Sequence, residues 1–276
     1  MLASVLCLLE GRDSMKGISF FYGYSSDYKK RAKLIKEQGF ECVITTADPR
    51  LNKQNGTIRK QVKLFKKLGL KLSSLHMTYN ENELPNFFMD NEIGEKIEKQ
   101  IIKDLNIAKK YKFKCVVVHL VGEFNDIGLN RLLRIVDVCK KVNVPIAVEN
   151  LDGNFELLKH VFDTFSSDYV KFCFDSGHQN CFEPDIDYLS MYGDRLICVH
   201  LHDNMGDSDS HTLNKYGNID WNKIASQLSK TNYVDLDYEL LMKHKNGDET
   251  EEEVLKLCFE EACELESALS KMPINS

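Results

Sequence analysis

The sequence predicts a single-domain α/β protein, a (β/α)8 TIM barrel, on three observations. From Met15 onward, short β-branched or aromatic runs alternate with longer charged segments of helical period. No linker, low-complexity tract or Pro/Ser-rich break interrupts the alternation, and the whole chain has only five prolines. Its 276 residues also suit one such barrel, which typically takes about 250. An open doubly wound sheet would carry a glycine-rich first turn, and none is present.

The strand candidates, in order, are GISFFYG (17–23), CVITTA (42–47), LSSLHM (72–77) and CVVVHLV (115–121), then PIAVEN (145–150), VKFCFD (170–175), LICVHLHD (196–203) and VDLDYEL (234–240). Each is short, rich in residues that fit a pleated surface, and bounded by charged or turn residues. The helix candidates between them are DYKKRAKLIKEQG, GTIRKQVKLFKKLG, EIGEKIEKQIIKDLNIAKKY and IGLNRLLRIVDVCKK, followed by NFELLKHVFDTF, a short turn near DIDYLSMYG, DWNKIASQLSKT and EEEVLKLCFEEACELESALSK. Together these make eight strand–helix units. The start, MLASVLCLLEGRDS, has no basic flank or convincing cleavage site and is too short to span a bilayer. Met15 stands directly before the first strand. Residues 1–14 are therefore read as an N-terminal extension and 15–276 as the barrel.

A hydrophobic content of 43% with 28% charged residues is ordinary for a soluble globular chain. The formal net charge of −6 argues against a general nucleic-acid coat, which favours a basic face. The nine cysteines form no C-x-x-C pair and most sit in apolar runs, which reads as reduced thiols in a cytoplasmic protein. Nothing in the pattern specifies an oligomeric state.

A barrel places its active site at the carboxyl ends of its strands. The metal-capable residues of this chain fall there. The third strand ends in His76, the fourth in His119 and the fifth in Glu149. The sixth ends in Asp175, with His178 three residues later. The seventh carries His200 and His202, and its loop carries Asp209 and His211. The eighth ends in Glu239. Only His160 and His244 are left over among the eight histidines, both as ordinary helix or loop residues.

Side chains two apart on a strand share a face. Val199 and Leu201 can therefore pack toward the helices while His200 and His202 face the axis. The same alternation turns Glu149 inward beside Ala147, and Asp175 inward beside Cys173. Carboxylates and imidazole buried together need compensation, and a divalent cation supplies it. Mixed imidazole and carboxylate donors suit Mn²⁺, Zn²⁺, Co²⁺ or Fe²⁺. Taken singly, each residue has an ordinary reading: Asp175 could cap the following turn, and MGDSDS could be a solvated loop. Arg50, in TADPR, reads as a solvated surface residue, although a phosphate contact is also open to it.

AVEN, FDSGH, HLHDN followed by DSH and G-x-I-D-W, and the terminal YEL resemble the xylose-isomerase-like TIM-barrel superfamily. The resemblance covers nearly the whole chain from Met15. It implies, in the sugar isomerase and epimerase branch, one divalent metal held by Glu149, Asp175, His200 and Glu239. The superfamily also contains endonuclease IV, whose nine-ligand trinuclear zinc site has counterparts here in those four residues plus His76, His119, His178, Asp209 and His211. Two departures set the chain apart from the nuclease: FDSGHQN stands where the nuclease has a DTCH-like run, and HLHDNMGDSDSH lacks its spacer.

The resemblance therefore implies a metal-dependent sugar or sugar phosphate isomerase/epimerase of carbohydrate metabolism. Proton transfer would run through a metal-stabilised enediolate, with Glu149 and Glu239 as the two bases. His178 and His202 are expected to orient hydroxyls or shuttle protons, or else to support the ligands. The alternatives are an endonuclease IV-like phosphodiesterase acting at abasic sites, and a non-catalytic barrel that keeps a metal for stability. The expected partner is a small sugar, with nucleic acid disfavoured and no membrane.

Overall fold

The computed structural model describes residues 14–21, 27–233, 235–240 and 249–272. The expected extension (but for Ser14), the end of the first predicted strand and His244 lie outside the described residues. Eight strands form one sheet: β1 (Lys16–Ser19), β2 (Cys42–Thr46), β3 (Lys71–His76), β4 (Val116–Val118), β5 (Ile146–Glu149), β6 (Val170–Asp175), β7 (Leu196–His200) and β8 (Leu236–Tyr238). The order β7-β6-β5-β4-β3-β2-β1-β8 is sequential, and every paired ladder is parallel. The ring closes just beyond β7. There Leu201 N–H donates to the Asp237 carbonyl and Glu239 N–H donates to the Leu201 carbonyl, both at 2.9 Å.

The helices lie where helical period placed them. Those at Glu92–Tyr111 and Asp126–Val142 begin at Asn91 and Asn125, whose side chains accept from the Gly94 and Gly128 N–H groups. The last helix, Glu251–Ser270, begins with a reciprocal Thr250–Glu253 capping box. Among the described residues no helix is long and apolar enough to cross a membrane.

Alternation along the strands separates two apolar layers. Val116, Val118, Ile146, Val148, Phe172, Phe174 and Val199 belong to the large core shared with the helices. Cys115, Val117, Ala147, Cys173 and Cys198 form a smaller cluster on the opposite strand face, along the barrel axis. The inward position above Val117 is His119, above Ala147 is Glu149, above Cys173 is Asp175 and above Cys198 is His200. Polar groups thus top an apolar plug.

Several strands are shorter than the sequence pattern suggests, because the chain leaves the ladder where site residues begin. β4 stops at Val118, one residue before His119, and β8 at Tyr238, one before Glu239. Among the elements not expected, two border the site. A 3-10 stretch over Glu81–Phe88 follows β3, and a short helix, Ser176–Phe182, follows β6. Buried Arg131 fixes the first by donating to the Phe87 and Met89 carbonyls at 2.6 and 2.8 Å.

Candidate metal centre

The strand ends bring nine side chains to one mouth of the barrel in three groups. In the central group, ligand atoms of Glu149, Asp175, His200 and Glu239 all lie within 4.8 Å of one another. His76, His119 and Glu149 make a second such group, and His178, Asp209 and His211 a third. Glu149 belongs to the first two.

His200 occupies the centre. Its Nδ1 lies 2.7 Å from Glu239 Oε2 and 3.0 Å from Glu149 Oε1. Burial disfavours the imidazolium, but those two carboxylates raise the His200 pKa well above the usual range. Burial would likewise raise both glutamates. The facing histidines outweigh it, holding Glu149 well below the ordinary carboxylate range and Glu239 down at about 2. Both carboxylates are therefore ionised at neutral pH.

Asp175 ends β6 and does two things. Its Oδ1 accepts from the His178 N–H at 2.7 Å, capping the short helix, while its carboxylate also faces the central group. Asn150 ties the ends of β5 and β6 together. It donates to the Asp175 carbonyl at 2.9 Å and accepts from the Asp175 N–H at 2.8 Å.

On the second group, His119 Nε2 lies 2.8 Å from Glu149 Oε2 and 3.1 Å from His76 Nε2. Burial, reinforced by His119, pushes the His76 pKa down to about 4, so His76 is neutral. On the third, His211 Nε2 lies 3.0 Å and His178 Nε2 3.4 Å from Asp209 Oδ2. Burial opposes the charge of both imidazoles. The carboxylates prevail, raising His178 to about 10 and His211 to about 9.

The motif HLHDNMGDSDSH builds this third wall. After His200, the Asp203 and Thr212 backbones exchange two hydrogen bonds at 2.9 Å, so the chain folds back as a short hairpin. Asp203 accepts from Ile219 N–H at 3.1 Å and from Trp221 Nε1 at 2.6 Å, which fixes G-x-I-D-W beneath the loop. His211 takes a left-handed backbone (φ 46°) and sets its Nδ1 2.9 Å from the Glu239 carbonyl.

His202 is placed differently from the cavity-lining histidines. It is fully buried, does not line the cavity, and places Nε2 3.0–3.1 Å from both Asp175 oxygens. That contact fits the expected alternative, support of a ligand. Gly177 makes room for it, because a Cβ there would lie 1.9 Å from His202 Cε1. His160, on its helix, stacks against Phe124 away from the site. One neighbour was not singled out as a ligand: the Cys173 sulfur falls within 4.8 Å of ligand atoms of Glu149 and His200. Its inward parity was legible; its closeness to them was not.

The donor set fits a divalent cation. Glu239 Oε1 and Asp209 Oδ1 are buried without a hydrogen-bond partner, an expensive state for polar atoms unless an ion completes them. Oxygen and imidazole donors in this mixture suit zinc or manganese. A cavity of about 340 Å³ stands over the groups. His76, His119, Glu149, His178, Asp209, His211 and Glu239 line it, together with the apolar Leu84, Val121, Leu151 and Phe182.

A barrel with its polar, metal-capable residues at the carboxyl end of the strands defines the class, and sequence comparison gives the family. The family model for the xylose isomerase-like TIM barrel matches residues 32–258, and the chain belongs to that family. An uncharacterised protein, y4fM, of Sinorhizobium fredii is 42% identical over 101 residues, covering 34% of this chain and 32% of the relative. The uncharacterised MJ1311 of Methanocaldococcus jannaschii is 27% identical over 165 residues, 52% of this chain and 56% of the relative. The matched segments thus span a third to about half of those two proteins. Among solved structures, a D-tagatose 3-epimerase-like protein superposes with a TM-score of 0.73 at 18% identity, covering 92% of this chain and 98% of the other. The IolI protein with a bound zinc atom superposes at 0.75 and 17% identity, covering 94% and 100%.

Proposed function

We propose that the protein is a divalent-metal-dependent sugar isomerase or epimerase that moves a proton between carbons, or between faces of one carbon, next to a carbonyl. The observation that carries this reading is the pair Glu149 and Glu239. They come from the ends of β5 and β8, both line the cavity, and both are ionised. The epimerase-like neighbour and the zinc-bearing IolI structure support the same reading.

Glu149, Asp175, His200 and Glu239 would hold the metal. When bound, it would polarise the substrate carbonyl and stabilise the enediolate formed on loss of the adjacent proton. One glutamate takes the carbon-bound proton and the other returns one, so the substrate leaves with its atoms and charge unchanged. His178 and His211 lie on the cavity wall within reach of hydroxyls, and His202 keeps Asp175 in place.

The test is deuterium uptake from heavy water into a ketose at the carbon beside the carbonyl, followed by NMR. Glu149→Gln and Glu239→Gln should each abolish uptake, including where metal is retained. Absence of uptake from any ketose or aldose by metal-loaded protein would sink the reading.

A second reading has one specific observation in its favour. The three ligand groups, with Glu149 shared, form a set able to hold several ions around one phosphate, as in metal-assisted phosphodiester hydrolysis. Nicking of a duplex at an abasic site by zinc-loaded protein is its test.

A further inference from the structure

The metal-lined cavity has a neighbour on the same face of the barrel. A second cavity, of about 550 Å³, opens between the segments that follow β1, β2 and β3. His76, Tyr79 and Glu81 line both, so the two are adjoining chambers that share the Tyr79 wall. The Tyr79 ring packs 4.6 Å from His119 and 5.4 Å from His76, which keeps that wall at the edge of the ligand groups.

The sizes are informative. The first chamber, about 340 Å³, has room for one hexose ring. A phosphate would fill only part of the second chamber, which has room for a further ring.

Its chemistry suits a neutral polyhydroxylated ring. Gln54, Asn80 and Asn82 offer uncharged donors and acceptors, while Phe21 and Leu51 offer apolar faces for the C–H side of a pyranose. Among the described residues lining the two chambers, Arg50 is the one lysine or arginine, and its charge is matched. Its Nε lies 2.9 and 3.0 Å from the two Asp48 oxygens, and its Nη2 also donates to Asp48 and to the Tyr79 carbonyl. Arg50 therefore braces the β2 and β3 loops against each other. Glu81 and Asp152 add negative charge along the first chamber, which disfavours a phosphorylated substrate.

Building on the isomerase reading, we infer that the substrate is an unphosphorylated sugar bearing a neutral glycosyl substituent. The reacting ring occupies the metal chamber and the substituent lies beyond Tyr79.

The experiment compares fructose, fructose 6-phosphate and two glucosyl-fructoses linked away from the carbonyl, isomaltulose and leucrose. Deuterium uptake by the zinc-loaded full chain is followed by NMR, and saturation-transfer NMR reports which rings touch protein. The inference expects saturation of both rings and a kcat/KM for at least one disaccharide on the order of tenfold above that for fructose. Leu51→Trp, which fills the second chamber, and Gln54→Ala should each bring that ratio toward one. Saturation confined to the fructose ring, a ratio unmoved by Leu51→Trp, or preference for the phosphate ester would overturn it. Saturation of both rings without uptake from any sugar would leave the two-chamber assignment standing and remove the isomerase reading instead.

Discussion

His200 Nδ1 lies 2.7 Å from Glu239 Oε2 at the centre of the barrel mouth, and the same nitrogen lies 3.0 Å from Glu149 Oε1. One imidazole thereby joins carboxylates delivered by β5 and from beyond β8. A proton on His200 can satisfy this arrangement when no ion is present. A divalent cation satisfies it with more charge, and can also complete Glu239 Oε1, which the proton leaves unpartnered.

The first expectation follows directly. His200→Ala, Asp175→Asn and Glu149→Gln should each weaken zinc binding by on the order of a hundredfold or more, measured by competition with a chromogenic chelator. His160→Ala should leave affinity where it was, since that ring packs on Phe124 away from the site. Equal losses in both sets would detach metal binding from the strand ends.

His202 supplies the second expectation, because it touches Asp175 and not the cavity. His202→Ala should lower zinc affinity about 10- to 100-fold while leaving the four central donors in place. Gly177→Ala should act in the same direction by displacing the His202 ring, and should lower stability by about 1–3 kcal/mol through overpacking. A Gly177→Ala protein with unchanged metal affinity and stability would mean the His202 ring is not held where the structure puts it.

A third expectation concerns pH and lies where the Glu92–Tyr111 helix meets the β3 loop. Burial raises the Asp104 pKa from its ordinary 3.8 to about 6, against the opposing hydrogen bonds from Thr78 N–H and the Gln100 amide. The folded state therefore binds the Asp104 proton more tightly than the unfolded chain does. That contribution to stability is full below about pH 4 and is lost as pH rises through about 6. Relative to Asp104→Asn, which does not titrate, the wild type should lose about 2.5 kcal/mol between pH 4 and pH 8 in urea unfolding. A constant difference across that range would show that Asp104 is not held in its uncharged form.

Much of this site was legible because barrel topology and strand parity act together. Glu149, Asp175 and His200 could be placed from alternation alone, since each sits two residues above an inward Ala or Cys. Parity does not report depth or azimuth, however. It gives His200 and His202 the same inward face, yet one binds among the glutamates and the other lies behind Asp175. Local propensity was equally silent on Glu81–Phe88, where a 3-10 stretch is fixed from outside by Arg131 on a distant helix. Arg50 is exposed, as read, but its tie to the Tyr79 carbonyl was hidden, because the two loops meet only once folded side by side.

The last expectation separates the two functional readings by which ligand groups each requires. Proton transfer beside a carbonyl needs the central group alone, because Glu149 and Glu239 are both the bases and two of its four donors. Phosphodiester hydrolysis around several ions needs the flanking groups as well. His76→Ala removes a donor from the second group and Asp209→Asn weakens the third, and neither residue belongs to the central set. We expect each variant to keep a central ion by elemental analysis after dialysis. Each should also retain at least about a tenth of wild-type deuterium uptake, a transition-state loss of no more than about 1.4 kcal/mol. Glu239→Gln should retain none. If the protein instead nicks abasic duplexes, and each flanking variant loses both an ion and the nicking, the several-ion hydrolase becomes the correct reading. In that outcome the same nine side chains and the same barrel serve a phosphate rather than a sugar carbonyl.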